Sequence, residues 1–273
     1  MSRISIARLD RVTVVAVPLL MLIACGGGEP RTDAERLARG KELVHQMSQR
    51  LSAANQLTAT MQTVRDIVRK SGKKEPLSFM SEMTLRRPDR LHVTTKGPRQ
   101  LEAWYDGKRV TIAGHADKVF AQAPMPETID RTFDTLSERY GWAVPSNDLF
   151  YSSPEKALLS DTTTGGYAGR ETLDGVACHH LAFQDIGVDW DLWLPVEGAP
   201  FPRRLKVLLK TRAGKPLVDI TFLTWNLAPQ VADATFVPKV PADYDGIAML
   251  QRAAAMKNAT PAPADPAAAP SQR

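Results

Sequence analysis

The sequence predicts a mainly β fold of the α+β class: one open, curved antiparallel sheet, a half-barrel of about eleven strands with covering helices. Three observations carry that expectation. Short runs with an apolar residue at every second position recur along most of the chain, turn-rich segments too short for crossovers separate them, and only two or three stretches have helical spacing. So few helices cannot cover both faces of such a sheet. It is therefore expected to manage its edges and inner face by closing, or half-closing, around inserted helices. A curved sheet with an apolar concave face leaves a cavity, the usual setting for an apolar ligand.

The first segment is not part of that fold. Arg3, Arg8 and Arg11 form a basic start, and Val12 to Ala24 is an apolar run of 13 residues broken only by Thr13 and Pro18. That is too short for a spanning helix, which needs ~20 apolar residues. Leu22-Ile23-Ala24-Cys25 resembles the lipobox of bacterial lipoproteins. The alternatives are an ordinary secretory signal or a short membrane anchor with a cysteine there by chance. The lipobox implies a signal peptide over 1–24 and cleavage before Cys25, which takes a diacylglyceryl thioether and an acylated amine with palmitate-type chains. One acyl chain binds reversibly, at ~0.8 kcal/mol per buried methylene, whereas three make an effectively permanent anchor. Residues 25–31, with Gly26-Gly27-Gly28-Glu29-Pro30, read as a flexible tether. Glycine rather than aspartate follows Cys25, which favours the outer membrane, facing the periplasm.

The domain is expected over residues 32–250. Thr32 and Glu35 have capping-box spacing, and Leu37, Gly40, Val44, Met47 and Leu51 mark one face of a helix to about residue 52. Leu57, Ala59 and Met61 alternate with polar residues, and Ser71-Gly72-Lys73-Lys74 marks a turn. Leu77, Phe79, Met83 and Leu85 share one parity, with Ser81 the exception, and Leu91 and Val93 continue after Pro88. Lys96-Gly97-Pro98 turns into Leu101 to Tyr105. Asp106-Gly107 is a hairpin signal before Arg109 to Ala113, and Val119, Ala121 and Ala123 form a further strand. From Pro126 to Trp142, Ile129, Phe133, Leu136 and Tyr140 fall on one helical face, with the proline suited to the first turn. Ser153-Pro154-Glu155 opens a shorter helix through Leu159. Strands resume at Val176 to Gln184, Val188 to Leu194, Leu205 to Thr211 and Leu217 to Leu227. Residues 251–273 are Ala/Pro-rich and read as a disordered tail.

Removing residues 1–24 takes away three Arg and one Asp and lowers the formal charge from +5 to +3. No Lys/Arg block has a nucleic-acid footprint, so no nucleic-acid partner is expected. Arg86-Arg87-Pro88-Asp89-Arg90 is the densest basic cluster and reads as a solvated strand end rather than a headgroup site. With Cys25 lipidated, Cys178 has no partner in the chain; a lone thiol in an oxidising compartment is a liability if exposed, so it is expected to be buried.

Cys178-His179-His180 is the strongest candidate for chemistry. On a strand His179 and His180 face opposite ways, while Cys178 and His180 share a face about 6.6 Å apart along it. A zinc site or a Cys–His nucleophile would need further groups that no spacing supplies, so no metal, cofactor or catalytic residue is expected. Asp189 and Asp191 flank Trp190, which places both carboxylates on one side, where solvent-facing acids are the favoured reading. Trp104, Trp142, Trp190, Trp193 and Trp225 are either cavity walls or core anchors.

The motifs Arg86-Arg87-Pro88-Asp89-Arg90-Leu91, Tyr105-Asp106-Gly107-Lys108 and Cys178-His179-His180-Leu181-Ala182-Phe183 stand in one order. Val188-Asp189-Trp190-Asp191-Leu192-Trp193 and Pro200-Phe201-Pro202-Arg203-Arg204-Leu205 continue it. Together, over about residues 35–248, they resemble a bacterial periplasmic domain-of-unknown-function family related in fold to the lipoprotein carriers LolA and LolB. The resemblance implies an open barrel of about eleven strands, with helices plugging its mouth and a concave face that binds acyl chains, lipoproteins or other lipids; no catalytic residues carry over. The lipobox makes the chain more like membrane-anchored LolB. The expected cavity residues are Phe79, Met83, Leu91, Val93, Ile129, Phe133, Leu136, Trp190 and Leu192. Two functions follow as expectations: a lipid-anchored envelope protein that binds a lipid or lipoprotein acyl chain, in lipid or lipoprotein trafficking, or an envelope sensor or assembly factor that binds a protein partner while its own helix fills the cavity.

Overall fold

The computed structural model describes residues 29–251, apart from Arg99 and Ala143. The signal segment, Cys25 and the tail beyond residue 251 lie outside the described residues. Helix α1 (Asp33–Ser52) starts where the capping box places it. The Glu35 N–H donates to the Thr32 hydroxyl at 3.2 Å, and the Thr32 N–H donates to the Glu35 carboxylate at 3.1 Å. Gly40, Val44, Met47 and Leu51 form its buried stripe, joined by Leu43 and Ser48.

Six strands follow: β1 (Gln56–Val68), β2 (Lys74–Arg86), β3 (Arg90–Lys96), β4 (Leu101–Tyr105), β5 (Arg109–Gly114) and β6 (Val119–Pro124). The helical insert comprises α2 (Ile129–Tyr140), a 3-10 helix (Pro145–Phe150) and α3 (Pro154–Leu159). Five strands return: β7 (Thr162–Leu173), β8 (Val176–Asp185), β9 (Val188–Pro195), β10 (Arg204–Leu209) and β11 (Leu217–Asn226). A 3-10 turn (Asp233–Phe236) leads to β12 (Asp245–Ile247). The twelve strands of the described residues form one open, curved sheet in the order β12-β6-β5-β4-β3-β2-β1-β11-β10-β9-β8-β7. Every pair is antiparallel except β12 with β6, which is parallel.

Register places the core. Ala123, Val110, Tyr105, Leu91, Leu85 and Leu57 are successive cross-strand partners, as are Val218, Val207, Trp190 and Phe183 on the other half. Partners share a face, so these side chains make one apolar inner surface, on which α1 and the insert pack. Each Val, Leu or Phe among them contributes about 1.5–3 kcal/mol by leaving water.

The structure departs from the sequence expectation in four places. Strand β7 has no alternating signal because Gly165, Gly166 and Gly169 break it; all three have positive φ, and the register with β8 shifts twice. This is where α1 docks: a Cβ on Gly166 would lie 2.3 Å from the Arg36 carbonyl oxygen, and one on Gly40 2.7 Å from Gly166 Cα. Helix α2 begins at Ile129 rather than Pro126, because Thr128 caps it by accepting from the Arg131 N–H at 3.3 Å. Strand β10 ends at Leu209, where Lys210 turns away to donate to the Asp185 carbonyl oxygen at 2.5 Å. The segment after β11 crosses the outer face of the first half-sheet, burying Phe236 beneath the Arg86 guanidinium before β12 joins the edge.

Candidate functional site

The helical insert is fastened over the β8–β10 part of the inner face. Arg87, just past the end of β2, donates to the carbonyl oxygens of Phe150 and Tyr151 at 3.1 and 3.0 Å, gripping the end of the 3-10 helix. Asp130 of α2 accepts from the Ser152 N–H and hydroxyl at 2.9 and 2.5 Å, and Asp134 accepts from the Tyr151 hydroxyl at 2.8 Å. The Glu155 N–H donates to Ser48 at 3.0 Å, and its carboxylate meets His45 at 2.7 Å, joining α3 to α1. The basic cluster at 86–90 is thus an interlocked corner. Arg86 pairs with Asp233 at 2.6 Å and Arg90 with Asp89 at 2.8 Å.

Beneath this cover lies a cavity of about 320 Å³. Its floor is Val188 and Trp190 of β9 with Leu205, Val207 and Leu209 of β10. Its roof is Phe133 of α2, Tyr151 just after the 3-10 helix, and Leu158 of α3; Trp142 and Val144 stand at the exposed edge. Trp190 stacks on Phe183 at 4.4 Å, and Phe133 leans on Tyr151 at 5.5 Å, so the walls are rigid aromatic surfaces.

The rest of the lining is polar, with Ser137, Asn147, Ser160, Asp161 and Arg212 towards the opening and two more deeply set carboxylates, Asp185 and Asp148. Asp185 ends β8 with the parity of Leu181 and Phe183 and so points inward. It is only 9% exposed. Its Oδ2 accepts from the Trp190 indole N–H at 3.1 Å, while Oδ1 is buried with no partner among the described residues. Burial raises its pKa, with the Thr162 hydroxyl and the Trp190 N–H pulling back. Asp148, on the 3-10 helix, is set into the cavity wall; burial first, and the charge of Asp185 second, push its carboxyl up to about 7. The Tyr151 hydroxyl is likewise raised, by burial and by its bond to Asp134.

Of the residues expected to line a cavity, Phe133 and Trp190 do so. Met83, Leu91, Ile129 and Leu192 are packed into the core, and Val93 and Leu136 are half-buried against it. These six wall the interior away from the cavity. Phe79 is half-buried towards the far end of β2, outside that core cluster. Cys25 lies outside the described residues. Asp148, Asp185 and the β10 floor were not among the residues expected at a site. Strand parity alone would have turned Asp185, Leu205 and Val207 inward, whereas nothing in Ser146-Asn147-Asp148-Leu149 marks Asp148.

The other chemistry-bearing groups fall elsewhere. Cys178 is a free, fully buried thiol on the outer face, and burial raises its pKa. His179 is buried on the inner face, and burial lowers its pKa. His180 faces outward, stacked on Trp193 at 4.4 Å between Asp191 at 2.7 Å and Glu171 at 3.0 Å. Asp189 pairs with Lys210 at 2.6 Å. Trp104 is buried against His92 on the outer face, and Trp225 stacks on Phe222. Among the described residues no group of three or more His, Cys, Asp or Glu side chains is placed to hold a metal ion, and no helix is long and apolar enough to cross a membrane.

Residues 40–250 match a family described as predicted periplasmic protein (DUF2092). No curated protein matches the sequence. Among solved structures, the chain is similar to an uncharacterized conserved protein from Thermus thermophilus, at 12% identity and a TM-score of 0.45 over 76% of this chain and 98% of that one. It is also similar to a LolA superfamily protein from Nitrosomonas europaea, at 10% identity and a TM-score of 0.36 over 77% and 99%. A third is the Mycobacterium tuberculosis lipoprotein LppX, at 13% identity and a TM-score of 0.38 over 70% and 98%.

Proposed function

The chain belongs to the DUF2092 family of predicted periplasmic proteins, and from that premise we propose that it is a lipid-anchored envelope protein that holds an acyl chain of a lipid or lipoprotein. The observation that carries this reading is the cavity between the apolar β9–β10 floor and the Phe133–Tyr151 roof. Its volume of about 320 Å³ lies at the small end of the ~300–1,000 Å³ range of ligand pockets. One chain, rather than a whole multi-chain lipid, is the occupant that size favours. The lipobox supports attachment through Cys25, and the glycine after it supports the outer membrane, with the domain facing the periplasm in lipid or lipoprotein trafficking. The reading assigns no catalytic step, metal or cofactor.

The cavity is open past the exposed Trp142 and Val144, and seating a chain deeper beneath the insert requires the cover to move. The hydrogen bonds from Arg87, Asp130 and Asp134 are the contacts such a motion breaks. The alternative is a sensor or assembly factor whose own helix fills the sheet. The observation favouring it is that Ile129 and Phe133 of α2 are only 1% and 3% exposed. Solvent extraction of the purified protein, followed by mass spectrometry, separates the two. An acyl lipid in near-stoichiometric amount, beyond any covalent anchor, is expected. A protein partner captured from the envelope with no extractable lipid overturns the acyl-chain reading in favour of the alternative.

A further inference from the structure

The cavity's electrostatics are one-sided where it is most buried. Four charged side chains line it: Asp148, Asp185, Asp161 and Arg212. Asp161 and Arg212 are exposed on the turns that follow α3 and β10, where water solvates them and their charges oppose one another. The two that burial desolvates are both acids. Lys210 lowers the Asp185 pKa only as a nearby charge, because its ammonium is engaged by the Asp185 carbonyl oxygen and the Asp189 carboxylate. From α2, Asp134 is occupied by the Tyr151 hydroxyl. The remaining neighbours of Asp185 are the Trp190 N–H, which reaches Oδ2, and the hydroxyl of its strand partner Thr162, which lowers its pKa but donates to the Leu158 carbonyl oxygen. Oδ1 is a buried acceptor with no donor among the described residues.

A buried acceptor left unpaired is costly, and two carboxylates lining one cavity repel each other when both are ionised. A cation that donates hydrogen bonds offsets both costs at once. We propose that the cavity takes an amphiphile with an ammonium head group, received by Asp185 and Asp148 while its chain lies against Trp190, Leu205, Val207 and Phe133. This deepens the acyl-chain reading and rests on it. A carboxylate head would instead meet two acids in a desolvated wall. The raised carboxyl of Asp148 fits the same picture: it holds a proton in the absence of a cation and releases it when one arrives.

The test uses the whole protein, stripped of non-covalent lipid and loaded with the uncharged fluorescent probe N-phenyl-1-naphthylamine. Dodecylamine, dodecanol and laurate, equal in chain length, are compared as competitors near pH 8. Dodecylamine is expected to displace the probe at a concentration at least about tenfold below the other two, the scale of one charge-assisted hydrogen bond in a dry site. Asp185→Asn and Asp148→Asn are expected to remove most of that advantage while leaving dodecanol unchanged, which also shows that the variants fold. Calorimetry near pH 7 is expected to show proton release on amine binding, absent in Asp148→Asn. Laurate competing as well as the amine, or both variants keeping the amine preference, overturns the head-group assignment while leaving acyl-chain binding intact. Failure of the probe and of all three competitors to bind overturns the acyl-chain reading and this inference with it.

Discussion

At Asp148, burial and the nearby charge of Asp185 carry the carboxyl from an ordinary 3.8 to about 7. The folded chain therefore binds that proton more tightly than the unfolded chain does. The stabilisation is fully present below the ordinary value and is lost as pH rises through about 7. Asp185 is shifted in the same direction. This contribution raises the melting temperature of the ligand-free protein near pH 5 relative to pH 8, against the opposite one of buried His179, whose lowered pKa disfavours the folded state at low pH. Asp148→Asn should flatten that dependence and melt higher than the parent near pH 8, as thermal unfolding followed by circular dichroism at several pH values would show; an unchanged slope argues against the buried carboxyl. Cys25 is a residue whose role rests on the sequence alone. Cys25→Ser is expected to leave the chain uncleaved and without label when cells are fed radioactive palmitate. Persistent label in that variant would remove the lipobox reading.

Among the elements, α1 and β7 are coupled through two residues without side chains. Gly166 has φ +139, and a Cβ there would strike the Arg36 carbonyl oxygen. Gly166→Ala combines backbone strain with overpacking and is expected to cost about 2 kcal/mol or more. Urea denaturation would measure it, and a loss below about 0.5 kcal/mol would mean that the helix–strand contact is loose. Helix α1 itself was legible residue by residue, because a capping box and a 3.6-residue apolar period are local properties. Strand β7 was not legible. Its glycines erase the side-chain alternation that identifies strands, and its place in the sheet is decided by β8 and by the helix lying on it. The start of α2 shows a similar competition: Pro126 suits a first turn, but its carbonyl accepts from the Tyr105 hydroxyl, and the helix begins at the Thr128 cap.

For the whole molecule, function turns on whether the insert is a cover or a permanent plug. Phe133 is the α2 side chain shared by the core and the cavity roof. Phe133→Glu places an unpaired charge among apolar groups and is expected to abolish probe binding while lowering stability by about 3 kcal/mol or more. Phe133→Leu keeps the site apolar and is expected to retain measurable binding, which separates loss of the cavity from loss of the fold. Glu138→Gln, on the exposed side of the same helix, should do little. Asp134 is unsuitable as a neutral control because it accepts from Tyr151. Unchanged probe affinity in Phe133→Glu would place the binding site away from this cavity.

By itself the sequence determined the pieces whose causes are local: the signal-like start and its cysteine, the capped α1, the alternation of most strands, and the short connections that make neighbours antiparallel. It also determined that His179 and His180 would part to opposite faces, which strand geometry settles, and that Cys178 would be buried, which followed from the liability of a lone thiol in an oxidising compartment. Tertiary structure alone decided which strands close against which, with β1 and β11 joining the two half-sheets. It also decided that the 227–247 segment covers the outer face, and that Asp148 and Asp185, from elements far apart in the chain, share one cavity. Phe79, Met83 and Leu91 have the right alternation for an inner face, but alternation reports only a side of the sheet. Where along that side the insert leaves space depends on packing volume and on distant hydrogen bonds such as those of Arg87, which no local window of sequence contains.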